Sequence, residues 1–467
     1  MSGPAFPRRP RSGLVSAAAG AEQGDGLVRA LTMTQCVALV VGTLIGTGIF
    51  LVPKEMVQEV HGFGWIMLVW LVGGLLSLFG ALAYAELGAM RPEAGGEYVY
   101  LRDGWGPLLG FLFGWGMFWI IRPASVATIA AGFSRAAAFI WPSLDVSHRI
   151  IFVGVSGGQA LAAALIAVVT GINYFGVRRG GQTQSIFTVL KIFLVVFLVI
   201  AAFAWAPGNW HHLVERLSGP VGLGGFSAAL VAALWAYDGW NNLTLAGSEI
   251  QNPEKTIPRA MGLGVLIVFV CYAAINLAYF YVLHPAQIAA ADNVAASMAA
   301  AFLGRYAGAL VAAAVMISAF ATINSSILSG ARAPFALARD GLLFKPLARV
   351  HPRYRTPHVS LLIQAVFAAL LGLTGTYASL YTLTIFAEWM FYALAVSALF
   401  AFRSRGERSP YRSFGYPLIP AVFLLVAVAL LVQNFMHNLG PSTIGLGVIL
   451  IGIPFFYWKR RRVASAG

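Results

Sequence analysis

A chain of 467 residues with 59% hydrophobic and only 10% charged residues is not a soluble globule, in which about a quarter of residues carry charge. Its formal charge of +14 would suit a nucleic-acid binder. The Lys and Arg, however, sit in alternate short loops without a basic, aromatic-laced stripe, which excludes nucleic acid as a partner and follows the positive-inside pattern of membrane proteins.

Met1 to Ala30 holds arginines and glycines but no apolar core, so residues 1–30 read as a disordered tail and not as a cleaved signal. Apolar runs of about 20 residues, each long enough to cross a bilayer, then recur along the chain. We expect an all-α membrane protein with about twelve spans, near 31–57, 63–90, 105–140, 150–172, 182–206, 223–251, 258–283, 302–338, 357–374, 376–403, 416–433 and 440–458. With that count Arg91, Arg102, Arg178, Arg179, Lys255, Arg259, the cations from Arg339 to Arg355, those from Arg403 to Arg412, and Lys459 to Arg462 fall on one side. Both termini are then cytoplasmic, in a plasma (inner) membrane. The connection from Arg91 to Gly106 has the glycine and proline chemistry of a linker. Pro285 to Ala301 is apolar enough to lie as short helices over a cavity mouth. Cys36 and Cys271 fall inside spans as small fillers, and no disulfide framework is implied. The tail, a first unit at 31–206, a second at 223–403, a proline-marked pair at 416–458 and a basic end at 459–467 complete the organisation.

Two stretches interrupt this pattern. Gly42 to Phe50 places three glycines and two threonines in nine residues of the first span, where each glycine costs about 1 kcal/mol against alanine. Unwound backbone in hydrocarbon persists only where it is buried in protein or lines a watered cavity. The second, Trp235 to Asn242, breaks the sixth span with bulky and polar residues. Paired breaks in two halves of a membrane chain point to a transporter's binding site. A glycine face for close helix packing would account for Gly42 and Gly46 but not for the second break.

A solute with both an anionic and a cationic group, such as a free amino acid, would need donors for the one and acceptors for the other. The amides of Gly46, Thr47 and Gly48, with the Thr47 hydroxyl, supply the first, aided by a half-helix dipole. Carbonyls near Leu44 and from Trp235 through Ala236 to Asp238 supply the second. Trp235, Ala236, Trp389 and small residues of the third span suit a medium or large neutral side chain. Lys191 lies about 14 Å into the fifth span, too deep to snorkel easily, and an unpaired cation at that depth is functional by default. The competing reading is a structural ion pair with a carboxylate. Arg122 reads as a structural cation facing the bundle interior, and Glu86 as a gate or a salt bridge. Asp238 and Glu388 are either contacts for a cationic substrate or, for Glu388, a buried hydrogen-bonded carboxyl held protonated.

The runs GTLIGTGIF (42–50), YAELGAMRPEAGGEYVYL (84–101) and WAYDGWNN (235–242) resemble the amino acid–polyamine–organocation transporter superfamily. FWIIRPAS (118–125) is similar to the third-span Ile-Arg-Pro-Ser motif of the L-type amino acid transporter family, which residues 324–332 and GIPFFYW (452–458) also resemble. The resemblance implies two inverted repeats of five helices each, discontinuous first and sixth helices, and two added C-terminal helices. It also implies that Trp235 closes over substrate and that Asn241 bridges the two unwound segments. The lysine matching Lys191 would take the place of a sodium ion, reaching span 1 carbonyls and span 8 hydroxyls, with Asn324, Ser325 and Ser326 as its candidate partners. Animal members carry a cysteine in the loop after span 3 that ties them to a glycoprotein. The corresponding loop, 142–149, has none, so no disulfide-linked heavy chain is expected and the chain is similar to the stand-alone prokaryotic type.

The function expected is sodium-independent alternating-access transport of α-amino acids. No catalytic constellation, cofactor or metal spacing is visible, so no enzyme is expected. The rivals are a channel, a membrane amino acid sensor, and a proton-coupled importer of cationic amino acids or polyamines that would use Asp238 and Glu388.

Overall fold

The computed structural model describes residues 26–144, 155–291, 293–374, 377–437 and 439–464. The tail expected before residue 26 and most of the loop at 142–149 lie outside them. Among the described residues the chain is helical, with three isolated bridges and no named strand. In chain order the helices are α1 (Met33–Leu44), α2 (Gly48–Val60), α3 (Phe63–Met90), α4 (Glu97–Trp105), α5 (Pro107–Gly116), α6 (Arg122–Ile140), α7 (Gly157–Tyr174), α8 (Val177–Trp205), α9 (Leu223–Ala236) and α10 (Asn242–Leu245). They continue as α11 (Pro253–Val282), α12 (Pro285–Ala290), α13 (Val294–Leu303), α14 (Ala307–Gly330), α15 (Arg332–Arg339), α16 (His358–Thr374), α17 (Tyr377–Ser404), α18 (Leu418–His437) and α19 (Leu439–Ala464).

Seven helical stretches among the described residues are long and apolar enough to cross a membrane, and four shorter apolar helices accompany them. Composition explains the packing. Helix α8 turns Ile186, Val189, Phe193 and Ile200 outward while Gln184, Thr188 and Lys191 are buried. An apolar exterior over a buried polar stripe is the arrangement hydrocarbon favours, because every polar group must find its partner inside the protein. Helix α1 packs against α8, α11 and α14, and α6 packs against α7, α14 and α16.

Local chemistry sets several boundaries. Thr32 begins α1 through a capping box, its side chain accepting from the Gln35 amide at 3.4 Å while Gln35 Oε1 accepts from the Thr32 amide at 3.0 Å. A π-helical turn at Met117–Ile121 separates α5 from α6, ahead of Pro123. Proline cannot donate and its ring crowds the carbonyl one turn back, so the helix widens there.

One sequence expectation is corrected. The connection from Arg91 to Gly106 contains the helix α4, not a polar linker throughout. Tyr98, Val99, Tyr100 and Leu101 are buried, and burying that apolar face outweighs the turn propensity of the flanking glycines. The apolar segment from Pro285 does form two short helices, α12 and α13, both packed on α2.

A buried ion pair ties the start of α15 to Glu249, which also holds the segment just before α1. Arg332 Nε and Nη2 donate to the Glu249 carboxylate at 2.6 and 2.9 Å, and the Glu249 carbonyl accepts the Ala30 and Leu31 amides at 2.9 Å each. Arg332→Ala is expected to lower unfolding stability by about 3–5 kcal/mol, because the buried Glu249 carboxylate loses two charge-assisted hydrogen bonds. Replacing both partners with apolar residues should cost less than that single change. Thermal unfolding in detergent checks the order.

Candidate functional site

Both chain breaks meet at one cavity of about 60 Å³. Helix α1 stops at Leu44 and α2 starts at Gly48. Ile45, at φ −73° and ψ 78°, forms an inverse γ-turn in which the Gly46 amide donates to the Leu44 carbonyl at 2.7 Å. Helix α9 stops at Ala236, and Gly239, at φ +106°, turns the chain before α10. Glycine is required there, since a Cβ would also fall 2.3 Å from the Thr43 side chain.

The expected residues Leu44, Gly46, Thr47, Gly48, Trp235, Ala236, Asp238, Ser326 and Glu388 all line this cavity. Their roles in it are not uniform. The Gly46 amide, expected among the donors, is turned back on Leu44. Thr47 and Gly48 have amides with no backbone acceptor among the described residues. The Leu44 carbonyl, expected to accept an ammonium, already accepts the Gly46 amide at 2.7 Å and lies 2.7 Å from the Tyr272 hydroxyl, whose one proton goes either to it or to Ala236. The Tyr272 hydroxyl also lies 2.8 Å from the Ala236 carbonyl, so it bridges the ends of α1 and α9. Sequence reading missed Tyr272, one of three tyrosines in α11 and with no local signal to set it apart.

Glycines 42 and 46 separate two explanations of the first stretch. A Cβ on Gly42 would fall 2.0 Å from Gln184 Nε2, so Gly42 serves close packing of α1 on α8. A Cβ on Gly46 would meet nothing nearer than backbone oxygens at 4.0 Å.

Lys191 is buried, and its ammonium donates to the carbonyls of Gly42 at 2.8 Å, Ile45 at 2.5 Å and Ser318 at 3.2 Å. Three acceptors match its three protons, and no carboxylate is among them. The α14 partners differ from those expected. Ser318 and Thr322 face the break: Ser318 Oγ donates to Ile45 O at 2.7 Å and Thr322 Oγ1 to Gly42 O at 3.2 Å. Asn324 turns to Asn173, Gly180 and Gln184, and Ser325 bonds Thr43 at 2.5 Å. Helical phase is the cause, since Ser318, Thr322 and Ser325 share a face at spacings of four and three, and Asn324 lies off it.

Asn241, Trp389 and Arg122 also differ from expectation. Asn241 does not bridge the two breaks. It donates to Glu97 Oε1 at 2.6 Å and accepts from Tyr392 at 3.0 Å. Its neighbour Asn242 lines the cavity and accepts from Arg122 Nη2 at 2.7 Å. Trp389 stacks on Phe423 of α18, with ring centroids 6.0 Å apart, and does not line the cavity. Arg122, read as structural, does line it, following directly on the π-helical turn. Glu86 is a buried structural anchor: its carboxylate accepts Arg403 at 2.9 and 2.7 Å and the Ser413 amide at 2.7 Å.

A helical, mostly apolar protein whose two broken helices enclose a small polar cavity is built as a membrane permease for a small polar solute. The chain belongs to the amino acid permease family, whose profile it matches over residues 31–454. It is 32% identical over 450 residues to the serine/threonine exchanger SteT of Bacillus subtilis (strain 168), covering 95% of this chain and 99% of that protein. Identity is 31% over 403 residues to the b(0,+)-type amino acid transporter 1 of Oryctolagus cuniculus, 86% of this chain and 81% of the relative. It is 30% over 434 residues to the human cystine/glutamate transporter, 92% and 85% respectively. The protein is therefore a multi-pass membrane amino acid permease of the L-type group, related to exchangers and transporters and not to enzymes.

Proposed function

We propose that this permease moves neutral α-amino acids across the plasma membrane by alternating access, with no sodium requirement. In this reading twelve spans form two inverted repeats, 31–206 and 223–403, followed by the pair 416–458, with both termini cytoplasmic. The observation that carries it is the meeting of two helix breaks at one cavity, with the Lys191 ammonium bonded to the first break where a sodium ion would need oxygen ligands. The unspent amides of Thr47 and Gly48 bind the substrate carboxylate at the start of α2, where the helix dipole adds to them. The substrate ammonium takes carbonyl oxygens of the second break, and Trp235 closes over the side chain. No bond is made or broken, so no cofactor or metal is needed.

The protein works without a disulfide-linked heavy chain. Support comes from the absence of cysteine at 142–149 and from the burial of Cys36 and Cys271 as free thiols. Counterflow into proteoliposomes tests the transport reading. Vesicles loaded with unlabelled amino acids should accumulate labelled L-serine or L-leucine equally with sodium or choline outside.

A second reading, transport of cationic amino acids, is favoured by the presence of both Asp238 and Glu388 at the cavity. Under it, Glu388→Gln weakens lysine and arginine transport by about tenfold, the equivalent of one charge-assisted hydrogen bond, and leaves leucine nearly unchanged. Equal losses for both classes would make Glu388 structural and leave the neutral reading alone. Competition uptake with both substrate classes distinguishes them.

A further inference from the structure

A chain of side chains runs from the cavity to α4. Asp238 and Glu388 both line the cavity. The Tyr392 hydroxyl lies 2.9 Å from Asp238 Oδ1 and 3.0 Å from Asn241 Oδ1. The Asn241 amide in turn meets Glu97 Oε1 at 2.6 Å. Sequence accounts for the last contact. Gly95 and Gly96 both take positive φ, the Gly95 amide donates to the Leu245 carbonyl at 3.0 Å, and a Cβ on Gly96 would fall 2.9 Å from the Leu245 nitrogen. The start of α4 is thus pressed against α10, which carries Glu97 to Asn241. Glu97 is fully buried, and its Oε2 has no hydrogen-bond partner among the described residues.

The donors in this chain can be counted. A phenol has one proton and a carboxylate none. If Glu97 is ionised, the Asn241 atom beside it is the nitrogen, and Asn241 Oδ1 faces Tyr392 and takes its proton. Asp238, 2.9 Å from the same hydroxyl oxygen, must then be the donor and carry a proton. If Glu97 is protonated, the amide turns over, its nitrogen donates to the Tyr392 oxygen, and the Tyr392 proton goes to an ionised Asp238. With both ends ionised, one oxygen–oxygen contact in a buried chain has no hydrogen in it, and the low dielectric raises that cost.

We propose that Asp238, Tyr392, Asn241 and Glu97 form a proton-binding site that takes up one proton with each substrate molecule. The inference rests on the transport reading above. The proton comes from water in the cavity, forms an O–H bond on Asp238 or Glu97, and returns to water on the other side.

The surroundings agree. Glu388 on α17, Arg122 on α6, Tyr84 on α3, and Tyr100 and Glu93 on and before α4 are the titratable and charged groups that act on this chain. Burial pushes the Glu97 carboxyl up to about 7, against the Asn241 hydrogen bond and the Arg122 charge that favour its ionised form. Glu97 therefore gains its proton as pH falls through the neutral range. Loss of the proton removes one link between α17, the second break and α4. The proton thus stabilises this conformation over one in which those elements part.

The test uses the full-length protein in liposomes holding a trapped pH-sensitive dye, with membrane potential clamped. Adding L-serine outside should acidify the lumen, and an inward proton gradient should drive labelled L-serine above its equilibrium level. Glu97→Gln lets Asn241 face either way and satisfies Tyr392 with Asp238 ionised, so serine-linked acidification should be lost. Tyr392→Phe should also lose it. Labelled serine counterflow without any lumenal pH change in the unmutated protein would overturn the proton site and leave the transport reading standing. Acidification that survives in both variants would overturn it equally. Absence of counterflow at every pH would overturn the transport reading and this site with it.

Discussion

Amino acid uptake by the Lys191→Met variant is expected to fall by about tenfold to a hundredfold, the worth of one charge-assisted hydrogen bond of about 1.5–3 kcal/mol. Its thermal stability should change much less. The reason lies in the acceptors. Each carbonyl that Lys191 touches has a second donor from α14: the Thr322 hydroxyl for Gly42, the Ser318 hydroxyl for Ile45, and, for the Ser318 carbonyl inside α14, the backbone amide one turn on. Removing the ammonium therefore orphans none of them, and methionine fills similar space. What is lost is the charged tie that fixes the first break to α8 and α14, the segment that must return to one geometry in each cycle. The same charge bears on sodium. At 4 Å and an effective dielectric near 20, a like charge costs about 4 kcal/mol, enough to exclude sodium from the oxygens around Gly42 and Ile45. Uptake by the unmutated protein should be equal in sodium and in choline at constant pH and potential. A strict sodium requirement would remove this role from Lys191.

Gly46→Val is expected to abolish transport while the protein still folds. Nothing lies nearer than 4.0 Å to a Cβ built at that position, so the fold tolerates it, and the added side chain projects where the substrate carboxylate would approach the Thr47 and Gly48 amides. The matching ligand experiment removes the anion. An L-amino acid amide should compete for uptake at least about tenfold less well than its parent, given the worth of a charge-assisted hydrogen bond. Equal competition by the amide, or normal uptake by Gly46→Val, would show that these amides do not hold the carboxylate. Size-exclusion profiles and thermal unfolding of the variant separate a blocked site from a misfolded one.

Much of this arrangement was readable from the residues alone because it depends on composition and local chemistry. Apolar runs required an interior for every backbone polar group, and the glycines of 42–48 and the bulky polar run 235–242 marked where helices could break. Lys191 announced itself by depth, since a cation far from either end of an apolar helix must find partners inside. Partners were less legible. Asn324, Ser325 and Ser326 looked suited to Lys191, but the phase of α14 against α1 presents Ser318 and Thr322 instead. A sequence shows which residues share a helix face but not how that face is rotated toward a neighbour.

The second break makes the same point. Trp235, Ala236 and Asp238 line the cavity as their position in the break implied. Asn241, three residues further on, turns away from it to Tyr392 and Glu97. Its partners lie 151 and 144 residues distant in the chain, and one of them sits on a segment whose glycines read as a loop. Those glycines permit the backbone of α4 to approach α10, a contact that only the packed helices reveal. Composition, glycine placement and charge depth thus determined the class of protein and the position of its breaks. Helix phase and long-range packing decided which polar groups meet, because hydrogen bonds depend on orientation within a few tenths of an ångström and chain position does not encode it.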